Sequence, residues 1–196
     1  MSINLQKGQK IVLVKEEDDL SDIAVGLGWD ENKGIRNLFN TSNIDCDATA
    51  FLLRNDKLDS SSGTSDEVSY RRGYAEKRCV EHSGDNLTGE GEGDDETIAV
   101  HLKKVPKDVN RIVFVVNIYS AIQRKQDFGM IKNAYIRVYN MKNGEELCRY
   151  NLSDNYRGKI ALICGELYRN EKTWKFNAIG EGTNDDSIQM LRKRYE

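Results

Sequence analysis

The run Arg111-Ile-Val-Phe-Val-Val-Asn-Ile-Tyr119 constrains the fold most, because it is apolar, rich in β-branched residues and almost unbroken by polar ones. It reads as a central strand buried on both faces. Further short β-rich runs recur at 10–15, 23–29, 48–53, 97–102, 134–141, 146–152, 160–168 and 174–179, separated by turn-forming residues. Within 134–141, Tyr135, Arg137 and Tyr139 alternate with Ile136 and Val138, the pattern of a half-buried strand. Asn143-Gly144 signals a type I′ hairpin, and 170–172 closes a second. The fold class that follows is mainly β, a two-sheet β-sandwich. Helix is scarce. A terminal helix, capped by Asp185 or Asp186, aligns Ile188, Leu191 and Tyr195 on one face, and a second short helix falls near 120–126. The Ser-, Asp- and Gly-rich stretch 55–67 reads as a flexible loop within a single domain spanning 1–196.

Composition narrows the function. The chain has 196 residues, 38% hydrophobic and 31% charged, and no apolar run approaches the roughly twenty residues that span a bilayer. The N-terminus lacks the apolar core of a signal peptide, so the expected location is cytoplasmic. Cys46, Cys79, Cys148 and Cys164 are scattered, without CxxC or zinc spacing, and read as reduced packing residues, the last two buried. A net charge of −3 argues against nonspecific nucleic-acid binding.

The segment His82-Ser-Gly-Asp-Asn-Leu-Thr-Gly-Glu-Gly-Glu-Gly-Asp-Asp-Glu96 carries the chemistry. Six carboxylates held a few ångströms apart repel one another by about 1 kcal/mol per pair even in bulk water. A cation removes that repulsion. Calcium suits the set because it takes six to eight hard oxygen ligands, carbonyls included, in irregular geometry. Asp85, Asn86, Asp94, Asp95 and Glu96 are the favoured donors, Glu90 and Glu92 candidates for a second ion, and Gly89 and Gly91 possible carbonyl donors. Asp45 and Asp47, flanking Cys46, would lie on one side of an extended strand about 6.6 Å apart and could reach the same ion. An acidic, glycine-rich run can also be a solvated loop. The spacing is not that of an EF-hand, since Leu87 and Gly89 fall where the third and fifth ligands belong if Asp85 is the first.

Taken with Ser2-Ile-Asn-Leu-Gln-Lys-Gly-Gln-Lys10, Leu27-Gly-Trp-Asp30, Asp45-Cys-Asp-Ala-Thr-Ala-Phe-Leu-Leu53, Gly165-Glu-Leu-Tyr-Arg169 and Trp174-Lys-Phe176, the loop gives a chain that resembles the TerD family of tellurium-resistance and stress-response proteins along nearly its whole length. Segments 31–44 and 55–80 depart from the family's compact core. The resemblance implies a calcium-binding β-sandwich in the bacterial cytoplasm, associated with tellurite resistance and with protein partners in a membrane-associated stress complex. The expected function is therefore a non-enzymatic calcium-binding stress protein whose ion orders the acidic loop for partner binding. Two alternatives stand beside it. One is a metal-dependent hydrolase, which His82 and His101 support poorly: neither has a metal-ligand spacing, and His82 reads as a polar residue on the loop's rim. The other is a cyclic-nucleotide or small-ligand module, as described for relatives, for which no phosphate-binding glycine loop is visible.

Overall fold

The computed structural model describes residues 2–15, 19–31, 44–59, 66–83 and 93–196. Twelve strands among them form two six-stranded sheets. The first sheet runs β1 (Ile3–Leu5), β10 (Glu146–Asn151), β9 (Ile131–Asn140), β3 (Asp22–Glu31), β7 (Glu96–His101) and β6 (Val80–His82). The second runs β2 (Lys10–Lys15), β12 (Thr173–Thr183), β11 (Ala161–Asn170), β8 (Val109–Ile118), β4 (Cys46–Arg54) and β5 (Glu67–Val68). Pairing is antiparallel except between β1 and β10. The sandwich expected from sequence is the one observed.

β8 holds the central place its composition demands, between β11 and β4. Its alternate residues feed two cores. Ile112, Phe114 and Val116 join the layer between the sheets, with Ile23, Val25, Ile98, Ile136, Val138, Leu162 and Phe176. Val113 and Val115 point to the opposite face and join Phe51, Leu53, Ala161 and Ile163 beneath the C-terminal helix. The nine runs read from sequence all appear as strands; β1, β5 and β6, each two or three residues long, carry too little pattern to be seen.

Three local expectations change. The 140–145 hairpin is not type I′, because only Gly144 takes positive φ (72°). Asn140 accepts the Gly144 amide on its carbonyl at 2.8 Å and the Lys142 amide on its side chain at 2.8 Å, which builds a longer turn. The terminal helix α2 (Ile188–Lys193) is capped by Ser187, not Asp185 or Asp186; its side chain accepts from the Met190 amide. Asp185 instead is buried and takes the Arg194 guanidinium at 2.5 Å. The flanks of the stretch read as a flexible loop take part in the fold: Leu58 is buried and its amide donates to the Tyr195 carbonyl, while Asp66 is buried against Arg54 at 2.5 Å. Residues 60–65 of that stretch lie outside the described residues. The short helix near 120–126 is present as α1 (Ala121–Arg124), flanked by positive-φ Ser120 and Lys125.

Candidate metal centre

The acidic segment connects β6 to β7, adjacent antiparallel strands with His82 opposite Ile98. Its two stems are tied together below the loop. The Ser83 amide donates to the Thr97 carbonyl at 2.9 Å, and the Thr97 amide donates to Ser83 Oγ at 3.1 Å. Of the donors read from sequence, Asp85, Asn86, Gly89, Glu90, Gly91 and Glu92 lie outside the described residues. Asp45, Asp47, Asp94, Asp95 and Glu96 are described, and all five stand at the same end of the sandwich.

Three consecutive carboxylates, Asp94, Asp95 and the first residue of β7, Glu96, point in three directions. Glu96 enters the space between the sheets, where one oxygen, Oε2, accepts the Ala48 amide of β4 at 2.5 Å and lies 3.3 Å from His82 Nε2. Both side chains are fully buried, so His82 is not the rim residue expected from sequence. Asp95 turns to the end of β3: its amide donates to the Leu27 carbonyl at 2.8 Å, and its Oδ2 accepts the Trp29 amide at 2.7 Å. Burial, reinforced by the charges of Asp30, Asp94 and Glu96, pushes the Asp95 carboxyl up to about 6. Asp94 folds over the outer face of the first sheet, where Arg137 grips it with Nε and Nη2 at 2.7 and 2.9 Å. The Tyr135 hydroxyl stands 2.9 Å from Asp94 Oδ1 and 2.8 Å from the Gly93 carbonyl.

Glu96 is the link to the second carboxylate pair. By reaching the Ala48 amide it ties the loop's stem to the start of β4, where Asp47 and the preceding Asp45 flank Cys46. Cys46 faces the inter-sheet core. Its thiol is pushed well up, first by burial and then by the charges of Asp47, Glu96, Asp45 and Asp95. Cys46 thus feels all four charges, although Asp47, next to it in the strand, leaves β4 on the face opposite to the core that Cys46 meets. Arg124 Nη1 lies 4.0 Å from Asp45 Oδ2. On the side of Asp94, a cleft of about 590 Å³ is lined by Trp29, Asp30, Gly93, Tyr135, Arg137 and Arg149 among others.

Whether these residues suit calcium can be asked of the structure. Glu96 Oε1 is buried and accepts no hydrogen bond, a costly state for a carboxylate oxygen that a cation would relieve. Hard oxygens dominate the donor set and the one thiol, Cys46, is held in its neutral form, which favours calcium over soft metals. In kind, these donors suit calcium. Among the described residues, however, no group of three His, Cys, Asp or Glu side chains is placed to hold an ion.

Sequence reading missed Arg137, Tyr135, Gly26 and Gly28. The two glycines of β3 could have signalled close approach of another group. Nothing local identifies that group.

A β-sandwich of two six-stranded sheets is the class of protein to which this fold belongs. The TerD domain family model matches residues 1–195, and the chain belongs to that family. It is 47% identical to stress response protein SCP2 of Bacillus subtilis (strain 168), with 100% of both chains covered. It is 40% identical to tellurium resistance protein TerD of Serratia marcescens over 93% of this chain and 91% of that one. In fold it is similar to the crystal structure of a homologue of telluride resistance protein (TerD) from Streptomyces coelicolor A3(2), with a TM-score of 0.67, 19% identity, and coverage of 90% of this chain and 98% of that one.

Proposed function

We propose that this TerD-family chain is a non-enzymatic stress-response protein associated with tellurite resistance, in which calcium orders the acidic β6–β7 loop to present a surface to a protein partner. The observation that carries the reading is Glu96 at the start of β7, its Oε1 buried and accepting no hydrogen bond while its Oε2 takes the Ala48 amide next to Asp47. Asp45, Asp47, Asp95 and Glu96 would hold the ion together with donors from 84–92; the ion supplies positive charge where the carboxylates otherwise repel one another. The names of the relatives support the stress and tellurite setting.

The remaining polar chemistry supports binding over turnover. His101 is engaged by Asp22 and lies 3.3 Å from Glu81, and the His82 side chain is fully buried. All four cysteines are free and buried, Cys46 and Cys79 included; burial pushes Cys148 and Cys164 up to about 12 and raises Cys79. Thiols so protonated and enclosed are poor nucleophiles, which favours a tellurite role that does not run through direct thiol chemistry. No helix among the described residues is long and apolar enough to cross a membrane.

The test is calorimetric titration of chelator-stripped protein with calcium, magnesium serving as control, and melting followed in parallel. Calcium-selective binding with a rise in melting temperature is expected. At a hundredfold excess over the dissociation constant the stabilisation is about 2.7 kcal/mol if the unfolded chain binds no ion. Asp45→Asn with Asp47→Asn should weaken binding sharply; absence of binding by the unaltered chain would overturn the reading.

A further inference from the structure

We infer that Asp94, placed by its sequence among the calcium donors, is instead an anchor, and that Arg137 is the positioning residue which fixes the acidic loop through it. This rests on the calcium reading and assigns roles within the same site.

Asp94 is the second described residue after the segment 84–92, so whatever holds it sets where the loop ends. Its side chain is 6% exposed, and both oxygens are occupied by a single guanidinium in the parallel, two-bond arrangement that gives Arg–carboxylate pairs their strength and direction. A cation bound to the same carboxylate would have to sit against Arg137. Like charges at such separations repel, and more strongly away from water. The Trp29 amide donates to one oxygen of Asp95, while Glu96 Oε2 takes the Ala48 amide and lies 3.3 Å from His82 Nε2, and its Oε1 accepts no hydrogen bond.

The surroundings of Asp94 are built to hold it flat. Register places Gly26 of β3 opposite Arg137 of β9, and Gly28 opposite Tyr135. A Cβ on Gly26 would collide with the Asp94 carboxylate, and one on Gly28 with the Tyr135 ring. Without side chains at those points, the carboxylate and the ring lie directly on the sheet. Arg137 is braced in turn: its guanidinium lies 4.8 Å from the centre of the Tyr139 ring and 3.4 Å from Glu146 Oε2. Arg149 stacks 3.6 Å from the centre of the Tyr135 ring and reaches the same Glu146 oxygen at 3.3 Å. Tyr135 completes the clamp by contacting the Gly93 carbonyl as well as Asp94. Gly93 and Asp94 are therefore fastened by backbone and side chain together, which leaves Asp95 and Glu96 aimed at the sheet end and the interior.

The two roles for Asp94 predict opposite signs for one substitution. If Asp94 ligated the ion, Arg137→Gln would free a carboxylate and remove a repelling charge, and calcium affinity would hold or rise. If Arg137 positions the loop, the same change weakens affinity by about tenfold or more, the size typical of losing a partner that orients metal ligands. Calcium affinity and stoichiometry should be measured by calorimetry for the unaltered chain, Arg137→Gln, Asp94→Asn and the double variant, well below the melting temperature of each stripped protein. The expected result is weakened binding at unchanged stoichiometry in both single variants, with the double variant no weaker than the worse single one, because both remove the same contact. Tyr135→Phe, which keeps the ring and only loses the hydroxyl, should show a smaller loss and serves if Arg137→Gln does not fold. Unchanged or tighter binding in Arg137→Gln, or in Tyr135→Phe if that variant must stand in, overturns the assignment while leaving the calcium reading intact. No binding by the unaltered chain overturns both.

Discussion

The two sheets share an inner core but treat their outer faces in opposite ways. The outer face of the second sheet is apolar at its centre, where Phe51, Leu53, Val113, Val115, Ala161 and Ile163 are covered by Ile188 and Leu191 of α2, with Tyr195 against them. The outer face of the first sheet has no such cover from α1 or α2. It carries charged chains instead: Asp94 with Arg137, Glu146 and Arg149, and farther along Asp22 with His101 and Glu81. An apolar face must be removed from water and recruits a helix, whereas a polar face can be completed by ion pairs lying flat on it. The difference teaches where function is free to act. The helix-covered face is committed to stability, and the ion-paired face borders the candidate metal centre.

The comparison can be broken most forcefully at α2. Leu191 is fully buried, so Leu191→Ala should lower unfolding free energy by about 2–5 kcal/mol, measured by denaturant titration. A loss no larger than that of a surface substitution would mean the helix is not a second core. On the other face, Gly26→Ala should cost about 1–3 kcal/mol through overpacking against Asp94 and should also reduce calcium affinity. Destabilisation with affinity intact would separate the sheet's floor from the loop.

The smallest effect is the sharpest in pH. The Ser21 hydroxyl, followed by His101, holds the Asp22 carboxyl below its ordinary value of 3.8. The stability this gives is complete above that value and lost as pH falls through the depressed folded one. Asp22→Asn should therefore flatten the acid side of a melting-temperature profile and leave the neutral region nearly unchanged. An unaltered acid limb would assign that slope to other carboxylates. The effect should be modest because the Asp22 side chain is 45% exposed.

Much of this architecture is legible in the chain. The alternation of Tyr135, Arg137 and Tyr139 with Ile136 and Val138 assigned faces correctly, since a strand's period of two is a local property. The dense apolar run of β8 declared a strand buried on both sides, although not that a helix would cover one of them. Ile188 and Leu191 announced that helix and its apolar face, but its cap fell to Ser187 because Asp185 was drawn to Arg194. For the metal centre, composition singled out carboxylates and glycines as candidate calcium donors and added the Asp45–Asp47 pair to them. Composition could not divide labour among Asp94, Asp95 and Glu96, which look equivalent in a row.

That division was decided only by tertiary structure. Asp94 meets Arg137 across 43 residues, Glu96 meets Ala48 across 48, and Asp95 meets Trp29 across 66. Each contact depends on sheet order: β3 lies between β9 and β7, which sets Gly26 opposite both Arg137 and Thr97. The sequence by itself determined which segments extend, which side of each is apolar, where the chain turns and where negative charge accumulates, because those follow from side-chain chemistry over a few neighbouring residues. Which strand lies beside which is a property of the whole packed chain, and through it the fold chose the partners of Asp94, Asp95 and Glu96.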